Sequence, residues 1–380
     1  MGPLKGMRIV EMAAIGPVPF AGMVLSDLGA DVVRIDRLAK ARGRDLALFD
    51  EDETDVTARG RRSVALDLKA SAGRDAALAL TGNADAVIEG FRPGVMERLG
   101  LGPQVCLERN PRLVFARMTG WGQSGPLANA AGHDINYIAL TGVLHAIGPN
   151  DKPIAPLNLI GDYAGALGLV TGVLAAVIEA RRSGKGQVVD CAMTEVASLL
   201  MARIWGLKAK GAWKDEREAN ILDGGAHFYG CYRCADGKWI SIASIEAPFY
   251  AELIAKAGLP PDDFADQWAG ARWPELKKRL EGIFAQRTRA EWCRLLEGSD
   301  VCFAPVLGIE EAPSHPHNRA REAFIEVAGV VQPAPAPRFS RTPADAPRAP
   351  RYAGVDSNEV LAEWGFSAAE IARLKSQGAA

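Results

Sequence analysis

The chain reads as an α/β protein with a parallel sheet, followed by a smaller α+β region. Three observations predict this. Short β-rich runs alternate with helical patterns through the first third. Such alternation builds βαβ units with helices on both faces of a parallel sheet. The 380 residues are 48% hydrophobic, enough for more than one core and suggestive of two domains. Beyond about residue 222 the pattern changes to a hairpin and several helices.

In order, Met7 to Met12 reads as a strand, and Pro17 to Gly29 as a helix with Pro near its start and Gly at its end. Asp31 to Ile35, Ser63 to Leu68, Asp85 to Glu89 and Leu113 to Met118 continue the strands. Helices over Ala72 to Thr81 and Gly94 to Leu99 fill the gaps. A long helix runs from Asp162 to about Arg182, then a Ser183 to Gly186 turn leads into the strand Gln187 to Cys191. Glu195 to Lys210 is helical. Asp236-Gly237 is a hairpin turn, with helices near Pro248 to Ala257, Trp273 to Ala285 and Arg289 to Leu296. Val331 to Arg351 is rich in Pro and Ala and reads as an extended connection. Phe366 to Lys375 is a last helix with Ser367 as N-cap.

A net charge of -2 argues against nucleic acid, whose backbone calls for a basic stripe. It leaves room for a small anionic ligand held by local arginines. Met1 to Val10 runs straight into a strand, without a secretory signal, and Gln377 to Ala380 carries no peroxisomal tripeptide. The expectation is a cytoplasmic protein. The most apolar run, Gly165 to Ile178, falls short of a membrane span and reads as a buried helix. Six cysteines without a secretory signal are read as free thiols. Cys231 and Cys234 sit three apart in a strand, so they point to opposite faces, and no second ligand pair accompanies them. No metal site is expected.

Chemistry concentrates in Ala131-Gly132-His133-Asp134-Ile135-Asn136-Tyr137 and in Asn158-Leu159-Ile160-Gly161-Asp162-Tyr163. A histidine and an aspartate, each at a helix start, suit a proton moved on and off carbon. An aspartate at a helix N-terminus is expected to stay ionised, and a developing enolate oxygen can be held there too. The plainer readings are an N-cap for Asp162 and a packed loop residue for His133. No G-x-G-x-x-G follows the first strand, so a dinucleotide fingerprint is missing. Arg37 and Arg92 each follow a strand and suit a phosphate, or are solvated surface charges. Met193 and Met201 suit either an acyl-chain groove or core packing. His145 and His227 read as structural, and His315 and His317 lie in a Pro-flanked loop without visible partners.

Along residues 3 to 375 the chain resembles the family III CoA-transferase superfamily, and within it the α-methylacyl-CoA racemase branch. The residues that carry this are Asp27 to Arg37, Glu89 to Val95, Arg117 to Pro126, Ala131 to Tyr137, Ala155 to Leu159, Thr194-Glu195 and Leu222 to Ala226. The resemblance implies a large Rossmann-like domain that begins with residues 1–200, a linker at 201–224, a small α+β domain at 225–310, and a return linker with the C-terminal part of the large domain over 311–380. It implies an interlocked homodimer, an acyl-CoA thioester substrate, and no cofactor or metal beyond the substrate's own CoA. Carried over by motif, His133 and Asp162 are the catalytic pair and Glu246 partners the histidine. Arg37, Leu66, Asp67, Leu68, Lys69, Arg92, Ala131, Gly132, Asp134, Ile135 and Asn136 match CoA-contacting positions.

The resemblance implies a 1,1-proton transfer through an enolate that interconverts (R)- and (S)-2-methylacyl-CoA. Competing readings are a CoA transferase with Asp162 as nucleophile, and a non-catalytic acyl-CoA-binding protein. The sequence departs from the family at Val18 and Ala166, which replace glycines, at His227, which replaces a proline, and at Ala247-Pro248 after Glu246.

Overall fold

The computed structural model describes residues 2–38 and 54–380. The strands of its main sheet are β1 (Arg8–Met12), β2 (Asp31–Asp36), β3 (Arg62–Ala65), β4 (Ala86–Glu89), β5 (Val114–Thr119) and β6 (Gln187–Ala192). They are ordered β3-β2-β1-β4-β5-β6 and every pairing is parallel. The direction of winding therefore reverses between β1 and β4, where open α/β sheets place their ligands.

Alternation along each strand explains why this sheet is covered on both faces. Ile9, Val32, Ile88, Val114 and Ala116 enter one core; their neighbours Val10, Val33, Val87 and Phe115 enter the other. A strand buried on both sides is what a parallel sheet requires. The first core is closed by α1 (Pro17–Asp27) through Val18, Ala21 and Leu25. The second is closed by α2 (Ser71–Gly82) through Ala76, Ala77 and Leu80. Short helices α3 (Val95–Arg98), α4 (Pro103–Arg109), α5 (Asp134–Ala139) and α6 (Val143–Ala146) follow.

The helix α7 (Ala164–Ser183) packs Leu169, Val173 and Val177 into the first core and ends at Gly184, whose N–H returns to the Ala180 carbonyl at 2.9 Å. Together with the turn before it, the helical stretch Leu159–Ser183 reaches 25 residues, long and apolar enough to cross a membrane. The sequence expectation had this run too short. Its buried inner face is the pattern of a core helix. The helical stretch expected over Glu195 to Lys210 is two helices, α8 (Met193–Leu200) and α9 (Ala202–Ala209), parted at Met201.

Further along lie the antiparallel strands β7 (Tyr229–Arg233), β8 (Trp239–Ala243) and β9 (Phe303–Val306) and the helices α10 (Ala247–Ala257), α11 (Trp273–Phe284), α12 (Arg289–Leu296) and α13 (Pro316–Ala320). Their core is Phe228, Tyr232, Ile240, Ile242, Leu253, Leu280, Phe284, Trp292 and Leu296. The β7–β8 turn closes at Asp236-Gly237, with Cys234 N donating to Lys238 O at 2.8 Å. Cys231 is exposed and Cys234 buried. An antiparallel pair, β10 (Phe324–Val327) and β11 (Val330–Pro333), opens the stretch expected to be extended. Helices α14 (Ser357–Glu363) and α15 (Ala368–Ser376) end the chain, with Ser367 capping α15.

Two compact units result: Met1–Thr141, Pro156–Leu200 and Glu322–Ala380 form one, and Gly142–Ala155 with Met201–Arg321 the other. The sequence reading left residues 142–155 in the large domain and drew 201–224 as a linker. Arg217 explains the difference. Its guanidinium donates to the carbonyls of Pro149, His145 and Asn150 at 2.8, 3.0 and 2.9 Å, which ties both segments into the second unit.

Candidate active site

Arg37, Leu66 to Lys69 and Arg92 all follow the carboxyl ends of parallel strands, β2, β3 and β4. Arg37, Lys69 and Arg92 are exposed. The Leu66 side chain is committed to the second core, so only its backbone borders the edge. Asp67 closes a local turn by accepting from Lys69 N at 2.9 Å. The Arg92 loop is braced from below. Glu89 accepts from Phe91 N and from Arg117 Nε, both at 2.7 Å, and Arg117 also reaches Glu97 at 2.6 Å. Burial pushes the Glu89 carboxyl up, while its bond to Arg117 pulls the other way.

His133 is the N-cap residue of α5, in extended conformation, and its N–H donates to Asn136 Oδ1 at 3.1 Å. The loop before it is pinned by Tyr137, whose hydroxyl donates to the Gly132 carbonyl, and by Trp121, whose indole N–H donates to Ala130 O at 3.2 Å. The two rings meet edge to face at 4.8 Å. Arg92 acts electrostatically on Tyr137, so the β4 loop and the His133 loop are neighbours. Ala131, His133, Ile135 and Asn136 are exposed, Gly132 half-buried and Asp134 buried.

Asp162 is not an N-cap. It lies inside a single π-helical turn, Leu159–Tyr163, closed by Tyr163 N donating to Asn158 O at 3.3 Å. Such turns are rare and concentrate at functional sites. Tyr163 stacks on Phe20 of α1 at 4.5 Å. The Asp162 carboxylate accepts from Asn158 Nδ2 at 3.2 Å. It faces Gly16, the N-cap of α1, where φ is 78° and a side-chain β-carbon would stand 3.5 Å from Oδ2. Glycine there gives the backbone conformation.

Burial raises the Asp162 acid above its ordinary range; Asn158 lowers it, Asp134 raises it and His133 lowers it. The sequence expected a carboxylate kept ionised by a helix end. Desolvation works against that helix-end effect and narrows the gap between this acid and neutral pH. His133 and Asp162 therefore lie in one electrostatic neighbourhood, beside the loop that follows the carboxyl end of β1.

Glu246 lies in the second unit as the N-cap of α10, exposed, with Ala247-Pro248 starting the helix behind it. Its backbone is held by Gln267, which donates to the carbonyls of Ser244 and Ile245 at 3.0 and 2.8 Å. Gln267 gives no local sequence signal, because its partners are more than 20 residues away. Asn158 was visible only as a neighbour in the Asp162 motif. Among the remaining expectations, Met193 is buried in the first core. Val18 fills the space over Gly90, where a β-carbon would meet its Cγ2 at 2.8 Å. No cluster of three metal-ligating side chains occurs among the described residues.

The profile of CoA-transferase family III matches residues 4–357. Over 378 residues the chain is 46% identical to the Mus musculus "Alpha-methylacyl-CoA racemase", spanning 98% of this chain and 96% of that one. It is 43% identical to the Homo sapiens protein of the same name, with the same coverage. A crystal structure of a CAIB/BAIF family protein from Brucella suis superposes with a TM-score of 0.81 at 26% identity, covering 96% of this chain and 99% of that one. The chain belongs to the CoA-transferase family III.

Proposed function

We propose that the chain is an isomerase that racemises 2-methylacyl-CoA thioesters by 1,1-proton transfer. The observation that supports this is an Asp162 whose acid is raised by burial, which feels the charge of His133 and is bonded through its backbone to the residue after that histidine. Near-full-length similarity to two proteins named as racemases supports it.

A thioester carbonyl acidifies the neighbouring hydrogen, yet that hydrogen remains far less acidic than any side chain. Reaction needs a base on each face of the carbon and a held enolate between them. His133 takes the proton from one face, and Asp162 in its acid form returns one to the other. For the opposite enantiomer Asp162 takes and His133 returns. Each positioned acid or base is worth about 10²–10⁴-fold. The N–H groups opening α5 at Asp134 and Ile135 precede its first internal bonds, donated by Asn136 and Tyr137 to the His133 carbonyl. They are the donors for the enolate oxygen, and one such donor is worth roughly 2.7–4 kcal/mol. Arg37, Lys69 and Arg92 supply the cationic edge for the CoA phosphates. Glu246 is assigned to support His133 within a homodimer, and the substrate's CoA is the sole carrier.

Incubation with a 2-methylacyl-CoA in D₂O should wash deuterium into the α-position and drain optical activity. His133→Ala and Asp162→Asn should each lower that exchange by about 10²-fold or more. No exchange with several branched thioesters sinks the reading. An intact-mass adduct of CoA on Asp162 would instead identify a CoA transferase.

A further inference from the structure

Outside the pair assigned to proton transfer, one buried acid near them is spent on holding the chain. Asp134 is 6% exposed, and a single oxygen, Oδ2, accepts from Gly161 N at 2.6 Å and from Asp162 N at 2.8 Å. These two amides lie 27 and 28 residues downstream, inside the π-helical turn. The fit is close: a β-carbon on Gly161 would stand 2.6 Å from the same Oδ2. The second oxygen, Oδ1, is buried and has no hydrogen-bond partner among the described residues.

We propose that Asp134 is a positioning residue: its carboxylate clamps the backbone of the Asp162 turn to the residue following His133, and so fixes the two proton-transfer groups relative to one another. This rests on the reading of His133 and Asp162 given above. Two charge-assisted bonds onto one oxygen hold a turn that a regular helix would relax. An acid misplaced by about 1 Å loses on the order of 10²-fold in rate.

The clamp also sets the electrostatics. The groups acting on Asp162 are Asp134 and His133, with Asn158 bonded to it, and Tyr137 of α5 feels the Asp162 charge in turn. Among the described residues, the other packed elements add none. The one acid of α1, Asp27, is paired with Arg59; Glu195 of α8 acts on Cys191; the charges of α7 lie at its far end.

Because both bonds land on one oxygen, Asp134→Asn can keep that acceptor; it removes the charge and puts an amide NH2 in place of Oδ1, unpartnered among the described residues. Asp134→Ala removes acceptor and charge together. Expected for Asp134→Ala is a loss of about 10² in kcat with a smaller change in KM, and faster amide hydrogen exchange over residues 159–163. Asp134→Asn should restore that protection and most of the rate. Its kcat/KM profile should have the acidic limb at lower pH, since burial still raises the Asp162 acid but the added push from the Asp134 charge is gone. Wild-type protection at 159–163 in Asp134→Ala, or an unmoved acidic limb in Asp134→Asn, overturns the proposal. If Asp134→Ala does not fold, the Asn profile decides. If the wild-type protein exchanges no α-proton at all, the racemase reading fails while the amide-exchange comparison still tests the clamp.

Discussion

At the scale of single residues, the motifs around His133 and Asp162 draw attention by themselves, but their reading as a proton-transfer pair comes from the family resemblance; the residues alone allow an N-cap and a packed loop histidine equally. What fixes them was not legible. The bonds from Asp134 to Gly161 and Asp162 join positions 27 and 28 residues apart, and no periodicity encodes such a link. His227 shows the same limit. It stands where the family pattern has proline, and the sequence offered it no role beyond structure. In the fold it is fully buried, its Nε2 is 2.7 Å from the Tyr250 hydroxyl, and burial lowers it from 6.5 to about 4. The sign follows from proton uptake: below pH 6.5 the unfolded chain binds a proton here that the folded one refuses. Stability is full above pH 6.5, falls as pH drops, and levels off below 4. The total loss is roughly 3 kcal/mol. Urea unfolding from pH 7 to 4 should show this slope, and His227→Phe should flatten it. Equal slopes in the two proteins would remove His227 as the cause.

At the scale of elements, those with strong local pattern were read well and those held by distant partners were missed. β1, β2, β5 and α12 fall within a residue or two of expectation. α4 was missed because it is seven residues long and buries one side chain, Cys106. β9 contains Pro305, which weakens the signal of a strand; it lies at the edge of its sheet, where proline is tolerated. The β10–β11 pair is hidden in a proline-rich stretch and is secured from elsewhere. Arg59, 2% exposed, forks onto Asp27 of α1 at 2.5 and 3.2 Å and donates to Gln332 Oε1 at 2.8 Å and Pro333 O at 2.7 Å. α1 and β11 are thus joined through one guanidinium. Asp27→Asn leaves that cation buried with its charge partner gone, at a cost of about 3–5 kcal/mol. Gln332→Ala removes one neutral acceptor and should cost about 1–3 kcal/mol. Chemical denaturation of both variants checks the order. Equal losses would mean that Asp27 contributes only as a hydrogen-bond acceptor.

At the scale of the whole molecule, the alternation of strands and helices sufficed to call for a parallel sheet, but not for the route by which the chain completes it. The second core is closed late. Asp356 accepts from Ser63 N at 3.0 Å beside β3, and Val360, Leu361, Trp364 and Leu374 enter the same cluster as Val33, Val64 and Phe115. Trp364, 1% exposed, also donates from its indole to Asp31 Oδ2 at 3.2 Å, and Ala379 O accepts from Asp67 N at 3.0 Å. Asp67 belongs to the stretch proposed to meet CoA, so the last turn of the chain braces that loop as well as a core. A chain ending after residue 350 therefore exposes one face of β2 and β3, where each large aliphatic side chain returned to water costs roughly 1.5–3 kcal/mol. With five or more such residues uncovered, the loss equals the whole stability of an ordinary domain. Such a truncation should lose near-UV dichroism and bind a hydrophobic dye. The milder Trp364→Ala should stay folded with about 3–5 kcal/mol less stability and weaker CoA binding, measured by calorimetry with free CoA. A truncated chain that unfolds cooperatively at the wild-type midpoint would show that β3 needs no late cover, and would return the C-terminal helices to the status of an appendage.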